Sequence, residues 1–304
     1  MYLEHFGLRE PPFRLTPDTD FLFHAQSHQE ARNVLLVALR SGEGFIKIIG
    51  EVGTGKTLLC RTLLNELGDD FVTAYLPNPY LSPNTFRTAF ADELGVDYKP
   101  SHGMHRLLHA ITAKLTELHA AGKQVVLLID EAQTMPRQTL EAVRLLSNLE
   151  TAKHKLLQIV LFAQPELDER LRSRELRQLR QRITFAHALR PLETDDARNY
   201  VAHRIAIAGG NVQLLFEAPA LTALCLASRG IPRLLNILAH KALMVAFGQG
   251  APRVTRRHVD AAIRDTEETA TAARTTAPAL RIGLAVGALA SASAGLYLLL
   301  RSTP

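Results

Sequence analysis

The 304-residue sequence is poor in cysteine, with only Cys60 and Cys225, set far apart. That excludes a disulfide framework, points to a reducing compartment and casts both thiols as small core residues. Twelve histidines are scattered along the chain, and no Cys/His cluster has zinc-ligand spacing. No apolar segment opens the chain: Glu4 comes early and Pro11-Pro12 interrupts, which argues against a secretory leader. There is no internal repeat and no long polar tail. At 47% hydrophobic and 21% charged residues the composition is globular, and one domain pair fits the length better than three. Charge of one sign is not concentrated either. The net charge of +5 is spread thinly and suits nucleic acid, acidic lipid or an acidic partner equally.

What is present starts near residue 50. Gly50-Glu51-Val52-Gly53-Thr54-Gly55-Lys56-Thr57 follows the apolar run Phe45-Ile46-Lys47-Ile48-Ile49. Glycines there let the backbone wrap until its N–H groups, with a helix N-terminus, point at anionic oxygens. Lys56 reaches the β- and γ-phosphates in this reading, Thr57 holds Mg²⁺ through its hydroxyl, and Leu58 closes the contact stretch. A second run, Val125-Val126-Leu127-Leu128-Ile129, ends in Asp130-Glu131, placing two carboxylates where a parallel sheet opens toward a nucleotide. Together they imply an ATP site. Asp130 would position Mg²⁺ and Glu131 would polarise the attacking water.

Apolar runs and helical periods alternate through residue 190, which predicts an α/β fold with a parallel sheet and helices on both faces. The expected strands are Phe45–Ile49, Phe71–Leu76, Val125–Ile129, Leu156–Phe162 and Ile183–Ala188. After residue 190 the pattern is helical only, over about Asp195–Ala208, Pro219–Ala227, Pro232–Phe247 and Arg256–Thr266. The expected division is therefore 1–190, a nucleotide-binding domain, and 191–266, a helical lid, with a linker over 267–281. Residues 282–300 carry nineteen positions without a charge, between Arg281 and Arg301. A helix of that length is roughly 28 Å long, about one hydrocarbon thickness, so a transmembrane helix is expected. Gly283, Gly287, Ser291 and Gly295 recur every fourth residue there, a stripe on which two such helices could pack.

A phosphate-loop core followed by a helical lid resembles the AAA+ ATPases, and that resemblance assigns further residues. Gln164, in Ala163-Gln164-Pro165-Glu166, stands where these proteins place a polar side chain that senses the γ-phosphate. Leu179-Arg180-Gln181-Arg182-Ile183 resembles the end of a helix carrying an arginine finger; Arg182 would act in a neighbouring subunit's site, with Arg180 the other candidate. Arg229-Gly230-Ile231-Pro232-Arg233 resembles the start of the lid helix from which an arginine, Arg233, faces the γ-phosphate.

Within that class the chain is similar to the bacterial general secretion pathway protein A family. The likeness runs from Tyr2-Leu3-Glu4-His5-Phe6-Gly7-Leu8 through the phosphate loop and Asp130-Glu131-Ala132-Gln133. It continues through Leu145-Leu146-Ser147-Asn148-Leu149-Glu150, Gln164-Pro165-Glu166-Leu167 and Gln178-Leu179-Arg180-Gln181-Arg182-Ile183, covering about residues 1–266. It implies Phe13 and Pro17 near the adenine and a homo-oligomer drawn as a ring. It further implies a bacterial inner-membrane ATPase with its catalytic domain in the cytoplasm, working with pilus (type IV or MSHA) or type II secretion assembly proteins. Secretion relatives continue past the membrane helix into a peptidoglycan-binding domain. The sequence given ends four residues beyond Leu300, so the expectation is that any cell-wall contact comes from another chain. A DNA-acting ATPase of the transposition-regulator or initiator type shares the core. Nucleic acid is the less expected partner, because no helix-turn-helix or aromatic-plus-basic module is evident.

Overall fold

The computed structural model describes residues 2–16, 19–98, 103–151 and 154–266. The five strands are β1 (Phe45–Gly50), β2 (Phe71–Leu76), β3 (Gln124–Ile129), β4 (Gln158–Ala163) and β5 (Phe185–Leu189). They form one sheet in the order β2-β3-β4-β1-β5, with all pairs parallel. Parallel neighbours need long crossovers, and the helices supply them: α3 (Lys56–Glu66), α4 (Pro83–Glu93), α5 (Gly103–Ala120), α6 (Arg137–Leu146), α7 (Glu166–Leu171) and α8 (Arg177–Arg182). Helix α1 (Tyr2–His5) opens the chain, and α2 (Gln26–Arg40) precedes β1.

The continuous apolar runs are explained by two cores, one on each face of the sheet. Side chains alternate along a strand, so Val125, Leu127 and Ile129 enter one core while Val126 and Leu128 enter the other. The same split separates Ile159, Leu161 and Ala163 from Val160 and Phe162. Phe86 and Phe90 of α4 and Ile111 and Leu115 of α5 complete the first core; Leu35 and Leu39 of α2 and Leu59 and Leu63 of α3 complete the second. Each fully buried aliphatic or aromatic side chain contributes about 1.5–3 kcal/mol. Cys60, on α3, is wholly buried in the second core.

Two strands begin two residues later than expected, and the other boundaries agree to within one residue. β4 starts at Gln158, because Glu150 and Lys155 pair as an isolated antiparallel bridge and the Leu156 N–H is bonded to Leu149 O at 3.0 Å. β5 starts at Phe185, because Ile183 caps α8 and the Thr184 N–H donates to Phe45 O at 3.0 Å.

By chain contacts the molecule divides into two units. One contains residues 14–204 and 230–234, hence the whole sheet. The other contains, among the described residues, 2–13, 205–229 and 235–266. In the chain after β5 the helices are α9 (Thr194–Ile207), α10 (Val212–Leu215), α11 (Ala218–Ser228), α12 (Pro232–Gly248) and α13 (Arg256–Arg264); α10 was not expected. Within the second unit, the Val254 N–H donates to Leu215 O at 2.7 Å and the Glu217 N–H to Val254 O at 3.0 Å. The first residues join these helices: His5 Nε2 pairs with Ala251 O at 2.9 Å, and the Tyr2 ring meets His240 edge-on at 5.8 Å. Cys225 on α11 is buried there. The domain limits at 190 and 266 stand as a proposal beside this division.

No described helix is long and apolar enough to cross a membrane. The expected transmembrane helix, its glycine stripe and the linker lie outside the described residues, as does Pro17.

Candidate nucleotide site

All strands of a parallel sheet present their carboxyl ends on one side, so the segments after β1, β3 and β4 converge. Gly50 ends β1, Asp130 follows β3, and Gln164 follows β4. Between β1 and α3 the chain turns sharply: the Thr54 hydroxyl donates to Glu51 O at 2.8 Å, and Gly53 and Gly55 take φ of +79° and +102°. Those angles favour glycine, and close neighbours demand it as well. A Cβ on Gly55 would lie 2.8 Å from His28 Nε2, and one on Gly53 would lie 2.5 Å from Arg233 Cβ. Glu51 and Val52 are exposed at the loop's outer turn, while Leu58 is half-buried on α3.

Lys56 opens α3 and is only 4% exposed; its ammonium donates to Gly50 O at 2.7 Å and Glu51 O at 2.9 Å. Burial lowers its pKa, and the carboxylates of Glu131, Asp130, Glu51 and Glu166 oppose that shift. The Thr57 hydroxyl donates to Asp130 Oδ2 at 2.6 Å, and the Glu131 N–H donates to Asp130 Oδ1 at 2.9 Å. Burial raises the Asp130 carboxyl above its ordinary value, while the Thr57 and Glu131 bonds hold it down. A buried ammonium, a hydroxyl–carboxylate pair and a turn with no room for a side chain at Gly53 or Gly55 fit a nucleoside triphosphate with Mg²⁺. Lys56 and the loop N–H groups would take phosphate oxygens; Thr57 and Asp130 would hold the metal.

Glu131 has φ +50°, and its Oε2 accepts from Gln133 Nε2 at 2.5 Å and Gln164 Nε2 at 3.1 Å. Gln164 is thus brought to the Glu131 carboxylate. Gln133 Oε1 accepts from the Gln164 N–H at 3.1 Å, and Arg170 on α7 bonds the carbonyls of Gln133 and Met135. Asp168 of α7 is paired with Lys47 on β1, which fastens that helix to the sheet. Arg233 reaches the loop by its backbone, N–H to Gly53 O at 3.2 Å, with an exposed side chain. Arg182 is not brought to this constellation. It precedes β5, whose Phe185 pairs with Ile46 near the start of β1, and its Nη1 reaches Ser147 O at 3.4 Å. That is the amino end of the sheet, about 15 Å of strand from the phosphate loop. Arg180 is exposed on the same short helix. Phe13 is buried, 3% exposed, among the residues of the second unit.

The residues missed by motif reading are the supports. His28 on α2 pairs through Nε2 with Thr54 O at 2.8 Å, while Nδ1 is buried without a partner. Burial lowers its pKa, opposed by the Thr54 bond. Gln133 had a signal, its place beside the acids; His28 and Arg170 had none.

Comparison with known proteins agrees with this fold. Residues 39–171 match an AAA domain family model. General secretion pathway protein A of Aeromonas hydrophila is 42% identical over 262 residues, covering 86% of this chain and 48% of that protein. The chain thus spans about half the length of that relative. Among solved structures, the Aeropyrum pernix ORC2 protein has TM-score 0.60 at 16% identity, covering 83% of this chain and 72% of that one. Cdc6p of Pyrobaculum aerophilum has TM-score 0.60 at 15% identity, covering 86% and 70%. At such identities the solved structures establish the fold alone. Residues 39–171 thus carry an AAA domain, in a chain that is similar to general secretion pathway protein A.

Proposed function

We propose that the chain is an ATP hydrolase whose turnover drives assembly of a pilus or secretion apparatus at the bacterial inner membrane. The observation that supports the chemistry is the meeting of Lys56, Thr57, Asp130, Glu131 and Gln164 at the carboxyl ends of β1, β3 and β4. Mg²⁺, when bound, supplies charge neutralisation between the phosphates. Lys56 and the loop N–H groups bind and orient the triphosphate, Glu131 takes the proton of the attacking water, and Gln164 helps fix that carboxylate. Arg233 would approach from the start of α12.

Arg182 completes the site of a neighbouring subunit in this reading, so the active form is a homo-oligomer, a ring for preference. Its distance from the phosphate loop of its own chain supports action in trans. The machinery side rests on the relative from Aeromonas hydrophila, whose name places it in general secretion. An MSHA-type pilus or a type II secretion machine is the finer expectation. The charge-free run 282–300 would anchor the protein, with residues 1–281 inside the cell.

The test compares two variants. Lys56→Ala should lose nucleotide binding, whereas Glu131→Gln should bind ATP yet turn over at least about 100-fold slower. Equal ATP affinity in wild type and Lys56→Ala would sink the site. A crosslinking pull-down from membranes of a Glu131→Gln strain should then retain the machinery held in the ATP-bound state.

A further inference from the structure

The run Asp130-Glu131-Ala132-Gln133 contains one polar member that nucleotide chemistry leaves unused, Gln133. Its amide is engaged at both ends. Nε2 donates to Glu131 Oε2 at 2.5 Å, and Oε1 accepts from the Gln164 N–H at 3.1 Å. One planar group therefore spans the ends of β3 and β4. Its own backbone is held in turn, because Arg170 bonds Gln133 O through Nη1 and Met135 O through Nη2, the latter at 2.6 Å.

Two features show what this brace controls. Glu131 sits at φ +50°, which side-chain-bearing residues seldom adopt, so its direction is imposed by the surroundings. Both amide donors, from Gln133 and Gln164, converge on Oε2. Among the described residues no hydrogen-bond donor meets Oε1, so the second carboxylate oxygen is left to water. A carboxylate gripped by one oxygen and free at the other is oriented without being neutralised.

We infer that Gln133 is a positioning residue: it holds the Glu131 carboxylate by Oε2 so that Oε1 can take the proton of the attacking water, with Arg170 fixing the brace. The inference rests on the reading of Glu131 as the base. It assigns Gln133 no contact with nucleotide, so the signature is a change in kcat alone.

The experiment measures ATP affinity, melting temperature and kcat for wild type, Gln133→Met, Gln164→Met, the double variant, Glu131→Gln, and Glu131→Gln with Gln133→Met. Gln133→Met, similar in size, should keep ATP affinity and lower kcat about 10-fold, the scale of one hydrogen bond to a charged group. With Gln164→Met the losses should fall short of multiplying, since both amides serve one oxygen. On the Glu131→Gln background Gln133→Met should cost nothing more. Wild-type or faster turnover by Gln133→Met, or the same fractional loss with and without Glu131, overturns the role. Should Gln133→Met not fold, Gln133→Glu keeps the size while replacing the donor, and a loss at least as large is expected, because its carboxylate also repels that of Glu131. If Glu131→Gln turns over like wild type, the base assignment has failed and the positioning role falls with it, a result distinct from the others.

Discussion

The Thr57 hydroxyl donates to Asp130 Oδ2 at 2.6 Å, tying the first turn of α3 to the end of β3. Asp130 is 2% exposed, so the bond both satisfies a buried carboxylate and sets the two proposed metal ligands side by side. Thr57→Ala should lower stability by about 1–3 kcal/mol, whereas Thr57→Ser should largely preserve it. Thr57→Ala should also bind ATP more weakly than wild type in Mg²⁺. With excess EDTA the two affinities should converge; a gap that survives chelation places the contribution of Thr57 outside metal binding.

Arg182 offers a test of assembly. In the proposed oligomer, Arg182→Ala removes a donor to the neighbouring site, and Lys56→Ala removes the chain's own site. Mixed at equal ratio, the two inactive proteins should recover some ATPase activity at shared interfaces. Mixed oligomers with no recovered turnover would count against Arg182 and turn attention to Arg180.

His28 predicts a pH effect on stability. Its ring is buried against Thr54, and burial holds its pKa below the ordinary 6.5. Below about 6.5 the unfolded chain therefore carries more protons at this position, so stability is lost as pH falls and regained as it rises. Urea midpoints at pH about 7.5 and about 5.5 should differ more for wild type than for His28→Gln, which cannot titrate. His240, also lowered by burial, titrates in both proteins and drops out of the difference. Parallel behaviour of the two proteins would remove His28 as the source.

The proposed anchor can be cut away. A chain truncated after Thr276 should be a soluble ATPase with the turnover of the detergent-solubilised full chain. Sedimentation with membranes after a high-salt wash would show that attachment lies upstream of the apolar run.

The sequence disclosed what is local. Phe45 to Thr57 is strand, turn and helix in contiguous order, and Val125 to Glu131 is strand and acids, so the phosphate loop and the carboxylates were legible with their neighbours. Contacts made across the sheet were not. His28 meets Thr54 because α2 lies beside α3, and Arg170 reaches Gln133 because α7 follows the strand next to β3. Neither pairing leaves a pattern in the chain itself. The two-residue shift at β5 has the same origin, since the strand begins where Phe45 offers its carbonyl rather than where the apolar residues begin.

The two buried cysteines gain a use from where the fold puts them. Cys60 belongs to the unit that contains the sheet and Cys225 to the other, and neither is in a disulfide. Burial pushes the Cys60 thiol well above its usual pKa, so in the folded chain it is a poor thiolate and a slow target for alkylation. Each sulfur thus becomes a reporter of opening in its own unit. Pulsed thiol labelling, resolved by peptide mass, follows the two units separately without adding a probe. ATP should slow modification of Cys60, four residues beyond Lys56 on α3. Whether Cys225 slows in step then measures how far the helical unit shares in that stabilisation.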